Sequence, residues 1–234
     1  MRLSPTGQPW SASLRQPEYW WYQARSFLLE ASIGNGVPAA RALDVGSADG
    51  PSVGWLEAGR LVSLDVDPQG LTHGGVCGSA LALPFRDATF DLVSAFDVLE
   101  HCEPESGALG ELHRVLTPRG RLLLSVPAYQ WAWSDHDVAA GHHRRYTRDR
   151  LVGALEGAGF HVDRCTHIFG ATFPMFAAER LARRLRPRRN EARLPTPPPA
   201  VSSMLLGLCR VERRWLRRRD LPFGSSVVVA ATRV

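Results

Sequence analysis

The feature that most constrains the fold is one local pattern used again and again. A short apolar run stops at a glycine or an acidic residue, and a stretch with helical spacing or a turn follows. Arg41–Val45 runs into the glycine turn Gly46–Gly50, and Leu61–Leu64 into Asp65. Gly74–Cys77 is a weaker third run, Phe90–Ala95 a fourth, Arg121–Val126 a fifth and Phe160–Phe169 a sixth. Between them lie a helix begun by Pro51, where a missing N–H costs nothing, and a helix over Glu105–Leu116 with Leu109, Leu112, Val115 and Leu116 on one side. A third helix spans Thr147–Ala158, capped by Thr147 and stopped by Gly159. Thr117-Pro118-Arg119-Gly120 reads as a turn. Strands that alternate with helices imply a parallel sheet with helices on both faces. Ligands on such sheets sit beyond the carboxyl ends of the strands, so the residues after each strand are the ones to inspect.

The two ends of the chain depart from the alternation. Residues 1–16 read as an irregular arm, and Pro17 to Ile33 as a helix rich in aromatics, ended by Gly34-Asn35-Gly36. After Phe169, Phe173–Arg186 and Val201–Arg219 read as basic helices joined by the proline-rich Leu194–Ala200. Ser226–Ala231 is a last apolar strand. The expected plan is an arm and aromatic lid helix (1–40), a sheet core (41–170), a basic helical insertion (171–221) and a final strand that returns to the core sheet (222–234). That makes an α/β fold of about seven mostly parallel strands, the last one antiparallel.

Composition sharpens this. With 44% apolar and 22% charged residues among 234, neither a disordered chain nor a fibrous rod fits. Every basic residue is arginine, and the net charge of +5 is local: residues 179–219 hold thirteen arginines and three glutamates. That segment reads as a solvated cover, a polyanion site or a surface for an anionic membrane. It lacks the interleaved aromatics that stack on bases, so nucleic acid is an unfavoured partner. Cys77, Cys102, Cys165 and Cys209 are too scattered for a disulfide framework or a zinc knuckle. No run reaches the roughly 18 apolar residues of a membrane span, and the N-terminus lacks the apolar run of a signal peptide. A cytoplasmic location is expected, with peripheral membrane contact through 173–219 as an added reading.

The strand ends carry the chemistry. Asp44 precedes Gly46-Ser47 and the glycine turn. A carboxylate there repels the pyrophosphate that a dinucleotide site holds at a helix N-terminus. It suits a ligand with cationic groups and no phosphate, such as S-adenosylmethionine. Asp65, followed by Val66 and Asp67, stands roughly 20 residues after the turn, where an acid accepts both ribose hydroxyls. Asp44 also reads as a turn cap, and Asp67-Pro68 as a turn starter.

The succession DVGSADG, LDVDP, GSALALPF, FDLVSAFDVLEH and ELHRVLTPRGRLLLSVP, over Arg41 to Phe160, resembles the class I S-adenosylmethionine-dependent methyltransferases. The nearest subgroup is the small-molecule one known as type 11. The resemblance implies a Rossmann-like sheet, S-adenosylmethionine as cofactor and O-methylation of a sugar, lipid-linked sugar or secondary metabolite. It implies that Asp44, Gly46, Ser47 and Gly50 hold the methionine part, Asp65 and Val66 the ribose, Ser79, Ala80 and Leu81 the adenine, and Phe96 the methionine side. Two positions depart from the family pattern: Ala48 replaces a central glycine, and Ser79 replaces a common aspartate. Asp97-Val98-Leu99-Glu100-His101 also resembles a magnesium-binding segment of some relatives. The reading assigns no metal there and takes these side chains as structural hydrogen-bonding groups.

After the fifth strand the chain is long, polar and aromatic at once, as functional loops are. It resembles a W-S-x-H-D…G-H-x-R-R-Y-T signature of the same subgroup. Methyl transfer to a hydroxyl calls for a base, for which His136 beside Asp137, or His142, is a candidate. Arg144 and Arg145 are candidate clamps for an acidic group. Trp131, Trp133, Tyr146 and, from the first helix, Trp21 are candidate walls for the acceptor. The same residue types also brace loops. A nicotinamide dehydrogenase, a nucleic-acid methyltransferase and a non-catalytic cofactor-binding scaffold are the competing readings. Asp44 and the incomplete glycine motif oppose the first.

Overall fold

The computed structural model describes residues 19–34, 38–47, 52–71, 74–184 and 197–234. Seven strands build one sheet: β1 (Ala39–Val45), β2 (Ala58–Asp65), β3 (Val76–Cys77), β4 (Phe90–Phe96), β5 (Leu116–Pro127), β6 (Phe160–Ile168) and β7 (Ser226–Arg233). Their spatial order is β3-β2-β1-β4-β5-β7-β6. Every pairing is parallel except the two that β7 makes with β5 and β6. The strand order reverses at β1 and β4, so the switch-point crevice lies beyond the carboxyl ends of those two strands.

Strand side chains alternate between faces, and both faces are covered. Leu43 and Val45, Val93 and Ala95, Leu122 and Leu124, and Val227 and Val229 share one core with Leu109 and Leu112 of α2 (Glu105–Val115). Leu151 and Leu155 of α4 (Arg148–Gly157) complete it. Their neighbours Ala42, Leu92, Leu123 and Val228 share a second core with Leu28 and Leu29 of α1 (Trp20–Ile33) and Cys209 and Leu216 of α6 (Pro199–Leu216). Thr147 caps α4 by accepting from Arg150 N–H, as its sequence implies.

The basic segment is therefore part of the fold rather than a loose cover. α5 (Phe173–Arg184) and α6 precede β7, and α6 buries Leu205, Cys209, Glu212 and Leu216. The Glu212 carboxylate accepts from the backbone N–H of Phe169 (2.6 Å) and Ala171 (2.8 Å), bolting α6 to the turn that leaves β6. Arg213 reaches Glu30 of α1 at 2.6 Å. Among the described residues, no helix is long and apolar enough to cross a membrane.

Three local readings need correction. The described residues after the glycine turn, Ser52–Trp55, form a turn and not a helix; the Leu56 N–H closes it on the Val53 carbonyl, and β2 starts at Ala58. The expected turn at Thr117–Gly120 lies inside β5. The reversal is absorbed there by a left-handed Arg119 (φ +63°) and a register break opposite Phe90 and Leu92. The segment after β5 is not one irregular loop: it holds a 3₁₀ turn (Gln130–Ala132) and α3 (Asp135–Ala140). The expected arm at 1–16 and residues 194–196 of the proline-rich linker lie outside the described residues, and the linker's last two residues, Pro199 and Ala200, already belong to α6.

Candidate active site

The carboxyl edge of the sheet is where the backbone is most strained. Asp97 follows β4 at φ +56°, Tyr129 lies just past β5 at +61°, and Phe169 follows β6 at +64°. A side-chain-bearing residue in this region costs on the order of 1–3 kcal/mol, and such residues gather at functional sites. After β1 the same conformation falls to Gly46 (φ +71°), where a Cβ would sit 2.4 Å from the Val98 side chain. Glycine is required there by both backbone and space.

Asp44 is buried at the crevice, with 3% of its surface exposed. Its carboxylate accepts from the Ser94 hydroxyl at 2.6 Å. Burial pushes the carboxyl up to about 7; the Ser94 hydroxyl, the Arg25 charge and the Ser47 hydroxyl pull it down only in part, and the Asp65 charge opposes them. A carboxylate in this state gains much from a cation brought to it. Asp65 ends β2 and accepts from the Asp67 N–H at 2.9 Å. Val66 beside it is exposed, and Asp67 is buried.

The helix α1 supplies a residue that the sequence reading missed. Arg25 is nearly buried and donates to Ser52 at 2.9 Å and to Ser125 at 3.4 Å. It pairs with Asp97 at 2.8 Å, and Ser125 donates to the other Asp97 oxygen at 3.0 Å. Its guanidinium lies over the rings of Trp21 (5.3 Å) and Phe96 (5.9 Å). Trp21 in turn stacks on the strained Phe169, with centroids 5.3 Å apart. The signal was present: Trp21, Arg25 and Leu28 share one helical face, and a lone arginine on an apolar face needs an acidic partner inside the fold.

The other candidates near the crevice are placed as follows. Phe96 and Ala80 are buried and Leu81 is partly exposed. The Ser79 hydroxyl accepts from the Leu81 N–H at 3.2 Å, closing a tight turn with Ala82. Gly50 and Ala48 lie outside the described residues.

The segment after β5 is organised by Asp137, whose side chain is fully buried. It accepts from the Arg145 guanidinium at 2.7 and 3.1 Å, from His142 Nδ1 at 2.9 Å and from Ser134 in a capping box. Burial alone would raise this carboxyl, but the His142 and Arg145 contacts outweigh it and hold it well below the usual range.

This network corrects three acceptor assignments. Arg145 is consumed by Asp137 and the Ala128 carbonyl. Tyr146 is fully buried and donates to Glu105 at 2.7 Å. Arg144 donates to the Cys102 carbonyl and pairs with Glu103 and Glu105. All three are braces, because a charged or hydroxyl group this buried keeps the partners it already has. Trp131 remains 38% exposed and stacks on Tyr129, while Trp133 is half-buried. His136 lies with its ring 6.5 Å from that of His142, and burial lowers its basicity.

Between the two regions lies Glu100. It is fully buried, and its carboxyl is raised well above the ordinary value by burial and then by the Asp97 charge. His101 and His142 pack edge to face beside it, 4.6 Å apart. Burial and the neighbouring His142 hold His101 down to about 4, so its imidazole is neutral near pH 7.

Comparison with known proteins agrees with this architecture. Residues 43–124 match a family model described as a methyltransferase domain. A malonyl-[acyl-carrier protein] O-methyltransferase of Herminiimonas arsenicoxydans is 33% identical over 149 residues, 55% of this chain and 55% of that protein. A "probable S-adenosylmethionine-dependent methyltransferase" of Mycolicibacterium smegmatis is 29% identical over 189 residues, covering 71% of this chain and 69% of that protein. The chain thus spans about half the length of the first of these relatives. The crystal structure of a Thermotoga maritima S-adenosylmethionine-dependent methyltransferase covers 97% of this chain and 100% of its own, with a TM-score of 0.60 at 15% identity. At that identity the likeness is one of fold.

Proposed function

This chain belongs to the class I S-adenosylmethionine-dependent methyltransferases, and from that premise we propose that it methylates an oxygen atom of a small molecule. A sugar, a lipid-linked sugar or a secondary metabolite is the acceptor class. The O-methyltransferase relatives support oxygen as the atom.

The observation that carries the reading is Asp44. It is a buried carboxylate at the switch point, held by the Ser94 hydroxyl and raised to about 7. A phosphate beside it would be repelled; an ammonium group would relieve it. When bound, the cofactor supplies a methyl group on a cationic sulfur. In this reading Asp44, Gly46 and Ser47 take its amino-acid end, while Arg25 stays with Asp97 and steadies that side of the crevice. Asp65 takes the ribose in the same reading, and the Ser79–Leu81 turn the base. Phe96, Asp97 and Trp21 close the crevice toward the acceptor.

An acceptor hydroxyl also has a proton to lose. Of the two histidines, His142 is the oriented one. Asp137 holds its Nδ1, which leaves the Nε2 lone pair open to a proton or to a metal ion. Trp131 offers an exposed ring for a sugar face.

Calorimetric titration with S-adenosylhomocysteine, with NAD as control, tests the reading. The expected result is roughly micromolar binding that Asp65→Ala abolishes, and no response to NAD. Binding of NAD instead, or of neither ligand, sinks it.

A further inference from the structure

We propose that Glu100, His101 and His142 form a site for one divalent transition-metal ion. One donor atom from each residue lies within 4.8 Å of the others. The site joins two stretches far apart in sequence: Leu99–His101, just beyond β4, and the end of the segment that carries α3. The His143 N–H bonds the Glu100 carbonyl at 2.8 Å, so the two stretches are locked by backbone as well.

Two independent observations support a cation. First, the fully buried Glu100 carboxylate has no hydrogen-bond donor outside its own backbone among the described residues. Buried carboxyl groups are paired, hydrogen-bonded or metal-bound, and this one lacks the first two arrangements. Second, the His142 imidazole is already oriented through one nitrogen, since Asp137 takes its Nδ1 at 2.9 Å. Metal-ligating histidines are held in this manner, by a carboxylate or a carbonyl on the nitrogen that does not ligate. Arg145 and Ser134 hold Asp137 in turn.

The donor set selects the ion. Two imidazoles and one carboxylate suit zinc or another first-row divalent ion, whereas magnesium and calcium prefer oxygens. The magnesium-type segment suggested by the sequence includes Asp97. That carboxylate is spent on Arg25 and Ser125, and His142 stands with the cluster. Three protein donors leave a coordination position open to water or to an acceptor oxygen. The site itself does not rest on the methyl-transfer reading, and only the use of that open position does.

The test uses the full chain, stripped with a chelator and dialysed. Zinc is titrated against a competing fluorescent chelator, and Co²⁺ is followed by its visible absorption. One zinc per chain is expected, with the absorption of a low-coordinate cobalt site. Glu100→Gln, His101→Gln and His142→Gln should each weaken zinc at least about 100-fold, since loss of a mere outer-shell partner already costs 10–100-fold. Thermal unfolding checks that the variants fold, and His101, the least buried of the three, is the safest if Glu100→Gln does not. His161→Gln, a surface histidine elsewhere, should leave zinc affinity unchanged. Absence of stoichiometric binding, or an affinity indifferent to these substitutions, overturns the proposal and makes Glu100 a protonated structural acid.

Discussion

Two buried aspartates stand on either side of the crevice, and their surroundings differ. Asp137 has its charge answered inside the fold by Arg145 and His142. Asp44 is almost as deeply buried but is hydrogen-bonded by the Ser94 hydroxyl, and the Arg25 cation acts on it from a distance. The first carboxyl is held below its ordinary range and the second is raised to about 7. Burial is common to both, so the partner decides. A saturated charge is structural; an unanswered one at a switch point awaits a ligand.

The sharpest way to break the comparison is to remove the partner of the saturated member. Arg145→Met leaves Asp137 buried with His142 and Ser134 alone. Losing one partner of a buried pair costs about 3–5 kcal/mol, and urea unfolding should show a loss of that order. A loss under about 1 kcal/mol would mean that Asp137 reaches water and that the segment is not braced as described.

The pH behaviour of the two groups has opposite sign. Asp137 has a depressed carboxyl, so its contribution is present above about pH 4 and lost as pH falls through its folded value. Asp44 is raised from 3.8 to about 7, so the fold prefers it protonated, and its contribution is lost as pH rises through about 7. The ammonium group of a bound ligand reverses the preference. Affinity for S-adenosylhomocysteine should therefore climb by up to about tenfold per pH unit below 7 and level off above it. Asp44→Asn should flatten that profile and weaken binding at pH 8 by about 10- to 100-fold. Calorimetry between pH 5.5 and 8.5, as roughly the stable range, reads both. A wild-type profile as flat as the variant's removes Asp44 from the ligand.

The helix α1 contributes less. Arg25→Met removes the counter-charge of Asp97 and the hydrogen bonds to Ser52 and Ser125. A charge-assisted bond is worth about 1.5–3 kcal/mol, part of which the variant recovers by leaving Asp97 half-exposed. About a tenfold weaker cofactor affinity is expected in the same titration. An unchanged affinity would detach α1 from the cofactor side.

The two regions were also unequally legible. Asp44, Gly46 and Asp65 stand at strand ends, where a period-two apolar run stops at a residue unsuited to a strand interior; sequence locates such positions directly. Arg25 and Ser125 were missed because their roles arise only when α1 crosses the ends of β4 and β5. The segment after β5 stood out by its polar and aromatic content. Composition could not say that Arg144, Arg145 and Tyr146 face inward, since a clamp and a brace use the same side chains. Nor could it bring His142 to Glu100. Such a meeting is tertiary, fixed by a capping box and the left-handed Gly141 that ends α3.

The smallest expected effect probes the far side of the crevice. Ser79 stands where the resembling family commonly has aspartate, and its hydroxyl accepts from the Leu81 N–H. Ser79→Asp keeps an acceptor for that turn and adds a charge for the amino group of a base. A charge-assisted bond is about twice as strong as a neutral one. The second carboxylate oxygen is solvated before binding, so about a three- to tenfold gain in S-adenosylhomocysteine affinity is expected. The gain should persist in Asp44→Asn, because separated sites with no shared partner add. A gain that vanishes in the double variant would mean that both residues act on one group of the ligand, and that the ligand lies across the crevice in a different direction.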